Sequence, residues 1–306
     1  TKYGEGLLAI KYRVKSEDGR MLGGPMYALE KGLGLKWLAI LFCIFTAIAT
    51  FGIGNTVQAN AISENLSLVC EDIISPERTK MIAGFTLATI VGFAIIGGVK
   101  SIAKWCTALV PLMALLYVLG CLYILCVNHE YLGRAISLIF NEAFSLKAVG
   151  GGTAGTVLMA AARYGIARGL FSNESGMGSA PIVAAAAQTK NPVRQALVSS
   201  TGTFWDTVVI CAITGLVIVS SIIAYPEISQ EDGGMLTKKA FGLIPYVGTP
   251  ILTFGIITFA FSTILGWSYY GERAVEYLMG KRSIVFYRIL YILLVFAGAT
   301  MSLSLV

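Results

Sequence analysis

Charge is what this 306-residue chain has least of. Asp, Glu, Lys and Arg make up 13% of it, about half of the roughly 25% found in a soluble domain. With 56% hydrophobic residues arranged in long runs, a water-soluble fold is excluded, and an all-α protein of several membrane spans remains. Histidine is nearly absent. The single His129 lies just past an apolar run and reads as an interfacial residue, because one imidazole there makes no proton relay. No pair of the six cysteines has metal-ligand spacing, so they read as small apolar packing residues. There is no GxxxxGK[ST] loop, GxSxG elbow or HExxH, which sets aside a nucleotide-driven pump and the common hydrolases. A lipid-modifying enzyme would need a nucleophile–base pair, and none is recognisable. The net charge of +6 sits at the ends of apolar runs, which argues for membrane orientation and against nucleic acid.

A helix needs about 20 apolar residues to cross the hydrocarbon core. The runs predict spans at 37–62, 79–98, 105–127, 148–187, 196–224, 247–271 and 284–305, with 1–13 as half a span. Alternate junctions are basic, including Lys11, Arg13, Arg20, Lys31, Lys36, Lys100, Lys104, Lys190, Arg194, Arg273 and Lys281. The others hold most of the acids, among them Glu64, Glu71, Asp72, Glu130 and Glu227. The positive-inside rule puts residues 11–36 in the cytoplasm. The alternation is strict if 148–187 crosses once. Within 14–35, SEDGR reads as a polar turn and Pro25 as the start of a short interfacial helix. No linker divides the chain, so 1–306 is expected to be one transmembrane domain. Its opening and closing runs suggest a piece cut at both ends.

Residues 165–181, GIARGLFSNESGMGSAP, cannot all be ordinary helix. A polar, glycine-broken segment at membrane depth is tolerated only where it lines a cavity or is buried in protein. A break exposes N–H groups at the start of its second half and carbonyls at the end of its first, so it suits a carboxylate and a cation. Glu174 would cost about 2.5–3.5 kcal/mol or more at mid-membrane if unpaired. An ammonium group, a cation, Arg168 or a proton would serve; a salt-bridged hinge is the alternative.

Three further groups stand out. In FGIGNTVQAN (51–60), Asn55 and Gln58 are i, i+3 and are expected to share a face. Asn55 reads as interhelical glue, and Gln58 as either glue or site. In 258–273, Ser262 and Thr263 are adjacent hydroxyls with Trp267 one turn beyond Thr263. With a free carbonyl they make an oxygen cage for a hard cation, unless each hydroxyl bonds back to its own helix. Asp206, inside 196–224, is a cation ligand, a proton carrier or a partner of Arg163 or Arg168.

GGPMYALEKGLG, GIGNTVQAN, ARGLFSNESGMGSAP and STILGWSYYGERA resemble the alanine/glycine:cation symporter family, also called the sodium:alanine symporters. The resemblance runs through nearly the whole chain. It implies the leucine-transporter fold, five helices repeated in inverted topology with the first of each repeat unwound. Residues 148–187 then correspond to the broken sixth helix, and the first helix and the last ones are missing. By this resemblance Gln58, Phe171, Ser172, Glu174, Met177, Thr263 and Trp267 border a substrate. Ser262, Thr263 and the Phe259 carbonyl hold sodium, and Asp206 supplies a second cation ligand. The implied activity is sodium-coupled import of alanine or glycine across the inner (plasma) membrane, with sodium as coupling ion and no other cofactor. A proton-coupled transporter of the same fold is the alternative.

Overall fold

Apolar runs of this length dictate helices, because in lipid every backbone N–H must find its partner inside its own segment. A computed structural model describes residues 1–144, 169, 172–227 and 233–301. Its elements are α1 (Lys2–Lys11), β1 (Val14–Lys15), β2 (Met21–Leu22), α2 (Pro25–Leu33), α3 (Lys36–Val69), α4 (Pro76–Ile96) and α5 (Gly98–Val127). Then follow α6 (His129–Phe144), α7 (Ala180–Ala184), α8 (Pro192–Ala224), α9 (Gly233–Gly242), α10 (Gly248–Met279) and α11 (Ser283–Thr300).

Among the described residues six helices are long and apolar enough to cross a membrane: α3, α4, α5, α8, α10 and α11. Their outward surfaces agree. Phe93 on α4 and Phe286 on α11 expose 72% and 77% of their area, as suits helices surrounded by lipid. The protein is an all-α, multi-pass membrane protein. Most of the expected broken span, 148–187, lies outside the described residues, with Arg163, Arg168 and Phe171.

The contacts divide the chain into two compact units. One comprises 1–2, 115–177 and 198–252, the other 3–114, 178–197 and 253–306. In the second unit α3, α4 and α11 pack together. Small residues and amides make this possible, since van der Waals contact and interhelical hydrogen bonds, not the hydrophobic effect, hold helices together in lipid. A Cβ on Gly298 would lie 2.5 Å from the Thr56 Cα, so α11 touches the α3 backbone there. Asn55 donates to the Tyr291 carbonyl at 2.9 Å, and Asn60 to the Met301 carbonyl at 2.7 Å. In the first unit α6 packs on the end of α8. There Asn128 donates to Ser221 Oγ, and the Tyr117 hydroxyl meets Thr214 Oγ1 at 2.7 Å.

The segment before α3 is more ordered than its polar sequence suggests. β1 and β2 form a two-stranded antiparallel hairpin whose turn is closed by Ser16 and Gly19. Pro25 opens α2, and Gly34, at φ 69°, ends it. Two stretches depart from α-geometry, Gly52–Thr56 in α3 and Phe204–Cys211 in α8, both wound as π-helix. Such insertions cluster at functional sites, and both fall among the candidate residues.

Candidate functional site

The chain breaks where the glycines predict. Ser172 and Asn173 are helical, helix is absent from Glu174 to Ser179, and α7 starts at Ala180 with Pro181 in its first turn. Three residues of the break have positive φ: Glu174 at 55°, Gly176 at 90° and Gly178 at 80°. For Glu174 this is a rare, strained conformation of the kind that gathers at ligand sites. The Asn173 side-chain oxygen accepts from the Ser175 N–H at 2.9 Å, forming an Asx turn. Lys2 donates to the Asn173 carbonyl at 2.6 Å. Within the break the Gly178 N–H donates to Glu5 Oε1 at 3.3 Å. Neither Lys2 nor Glu5 was predicted. A charge in a half-span was the only signal.

The first unit brings Ser172 and Asp206 together. The Ser172 hydroxyl donates to Asp206 Oδ1 at 2.7 Å, and Thr207 Oγ1 lies 3.4 Å from Oδ2. Asn173 donates to Thr207 Oγ1 at 3.2 Å, and Ser175 meets Thr203 at 3.3 Å. A ladder of polar side chains thus joins the break to the π-helical stretch of α8. Thr203 and Thr207 stand four apart across it, and periodicity gave no hint of that register. Glu174 and Met177 are half-buried on the same turn. Phe171 lies outside the described residues.

The second unit gathers the other candidates. On α10 the Ser262 hydroxyl donates to the Phe259 carbonyl at 2.8 Å, and the Thr263 hydroxyl to the same carbonyl at 2.9 Å. The three oxygens therefore cluster. Both hydroxyls thus bond back to their own helix, the alternative to a cation cage, and a cation would have to displace these two bonds from the Phe259 carbonyl. Trp267 is 5% exposed and packs against α3, where a Cβ on Gly54 would sit 2.4 Å from its ring. Gln58 donates to the Ile53 carbonyl at 3.2 Å, five residues back. Asn55 is fully buried and Gln58 half-buried. The two amides take different partners, Asn55 the Tyr291 carbonyl of α11 and Gln58 a carbonyl of its own helix, at the π-turn of Gly52–Thr56.

The whole chain, residues 1–306, matches the model of the sodium:alanine symporter family. It is 48% identical to a sodium/alanine symporter of Methanococcus maripaludis, matching all of this chain and 66% of that protein. Two Bacillus subtilis proteins are also similar. One, named a putative sodium/proton-dependent alanine carrier, is 36% identical over 91% of this chain and 58% of its own length. The other, named a probable sodium/glutamine symporter, is 35% identical over 99% of this chain and 61% of its own. The sequence thus spans a little under two thirds of these relatives. On these grounds the chain belongs to the sodium:alanine symporter family.

Proposed function

We propose that the complete protein is a sodium-coupled symporter that brings a small neutral amino acid, alanine or glycine, into the cell across its plasma (inner) membrane by alternating access. The observation that carries this reading is the match of residues 1–306 to the sodium:alanine symporter family; Ser262 Oγ, Thr263 Oγ1 and the Phe259 carbonyl on α10 are the oxygens proposed to take the ion once the two back-bonds are released. Oxygen-only ligands suit a hard cation, and sodium is cargo here, with no resident cofactor required. The break from Glu174 to Ser179 supplies backbone dipoles for the substrate's carboxylate, and Glu174 supplies a negative charge for its ammonium. Ser172 and Gln58 add polar contacts. By the family resemblance Phe171, Met177 and Trp267 are assigned to the substrate's side chain, an assignment that fits a tiny substrate. Relatives named for alanine and for glutamine imply that this boundary varies within the family. If sodium completes the substrate site, each ligand strengthens the other's binding by the same factor.

A second reading, proton coupling, is favoured by one contact: the Ser172 hydroxyl links the Asp206 carboxyl directly to the broken segment. One relative is named as sodium/proton-dependent. Uptake of labelled alanine by the complete protein in vesicles separates the two. Uptake that needs sodium and fails in potassium supports the first reading. Uptake that ignores sodium and collapses with the pH gradient selects the second.

A further inference from the structure

Basic residues from well-separated junctions meet around one cavity of the second unit, about 790 Å³ in volume. Its wall combines the β1–β2 turn, the α4–α5 junction, the segment after α7, and the ends of α10 and α11. Seven cationic side chains line it, against two carboxylates. Those carboxylates are already engaged. Asp18 pairs with Arg20 and Lys281, both within 2.9 Å, and Glu272 with Arg273 and Arg288. Glu276, behind the wall, takes up Arg20 and Arg273. Arg13 is spent on the carbonyls of Ala185, Ala187 and Thr189.

What remains is positive. The Arg273 side chain is 4% exposed, and its Nε has no hydrogen-bond partner among the described residues. Lys100 and Lys190 line the cavity with no hydrogen bond or ion pair among the described residues. The first turn of α5, Gly98–Lys100, adds the positive end of a 30-residue helix. A concave wall of one sign holds a strong potential, and the volume is that of a small-molecule pocket, in the range of about 300–1,000 Å³, rather than a bare-ion site.

We propose that this cavity binds a phosphate-bearing anion, with Lys100 and Lys190 as the uncommitted cations that complete its recognition. This goes beyond transport and does not depend on it. The phosphate has two sources, an anionic lipid headgroup at the membrane surface or a soluble phosphorylated solute. The test uses the full-length protein and its thermal unfolding midpoint. One arm compares phosphatidylcholine vesicles with and without phosphatidylglycerol. The other titrates inorganic phosphate at constant ionic strength in phosphatidylcholine alone. Stabilisation by phosphatidylglycerol only identifies a lipid; stabilisation by phosphate identifies a soluble ligand. The double variant Lys100→Gln/Lys190→Gln is expected to weaken the effective ligand about tenfold or more, since it removes the two uncommitted cations from a concave wall of one sign. Lys31→Gln, in α2 and outside the cavity, is expected to change nothing. No stabilisation in either arm, or equal loss in the Lys31 variant and the double variant, overturns the proposal.

Discussion

At Gly54 a hydrogen atom stands where a methyl group would lie 2.4 Å from the Trp267 ring. Gly54→Ala therefore forces the indole or α3 to move. Overpacking of this kind costs about 1–3 kcal/mol, to be seen as a lower unfolding midpoint in detergent. Trp267→Ala removes the indole and is expected to widen the range of amino acids that compete with labelled alanine for uptake. Because deleting a buried aromatic costs about 3–5 kcal/mol, Trp267→Phe is the milder companion. Unchanged selectivity in both variants would remove Trp267 from the substrate boundary. At the cation cluster, Thr263→Ala is expected to raise the half-saturating sodium concentration about tenfold, equivalent to ~1.4 kcal/mol, while Thr263→Ser restores it. A sodium titration with the wild-type midpoint would exclude Thr263. These residue types were legible as candidates in the sequence. Their partners were not: nothing local tells that Ser262 and Thr263 choose the same carbonyl, or that Gln58 turns back to Ile53.

The elements themselves were largely readable. Apolar runs at 37–62, 79–98, 105–127, 196–224, 247–271 and 284–305 became helices of overlapping extent, because hydropathy and backbone satisfaction are properties of a single segment. The break at Glu174 was readable for the same reason, since Gly176 and Gly178 occupy backbone angles that L-residues avoid. Gly178 adds a packing demand, for a Cβ there would lie 2.9 Å from the Phe42 ring. Gly178→Ala is thus expected to abolish uptake while far-ultraviolet circular dichroism stays near wild type. Wild-type uptake would show that the break tolerates a side chain. The two π-helical stretches were not readable. An inserted residue leaves no compositional trace; in the fold each π-stretch carries a tertiary contact, Gly54 against Trp267 in α3 and Asp206 with Ser172 in α8.

At the scale of the whole chain, charge placement carries orientation and more. Asp18, in the hairpin turn, is held below the usual carboxylate range first by the Ser16 hydroxyl, then by Lys281 and Arg20. A depressed pKa means that the carboxylate's contribution is complete above its unfolded value of 3.8 and is lost as pH falls below it. The hairpin is therefore expected to stay joined to the end of α10 from pH 7 down to about 4. Hydrogen exchange at the Ser16 and Gly19 amides, corrected for intrinsic rate, checks this; loosening already at pH 5 to 6 would assign the link to another group. The sequence alone determined the helical class, the positions of the spans and the alternation of their charged junctions, since each follows from the transfer energy of one segment or one loop. Only the tertiary structure decided which amide meets which carbonyl, where a helix widens into a π-turn, and that the Lys and Arg of separate junctions enclose one cavity. Those outcomes depend on residues far apart in the chain reaching the same few ångströms, and in lipid, where every apolar face is equally content, shape and hydrogen bonding make that choice.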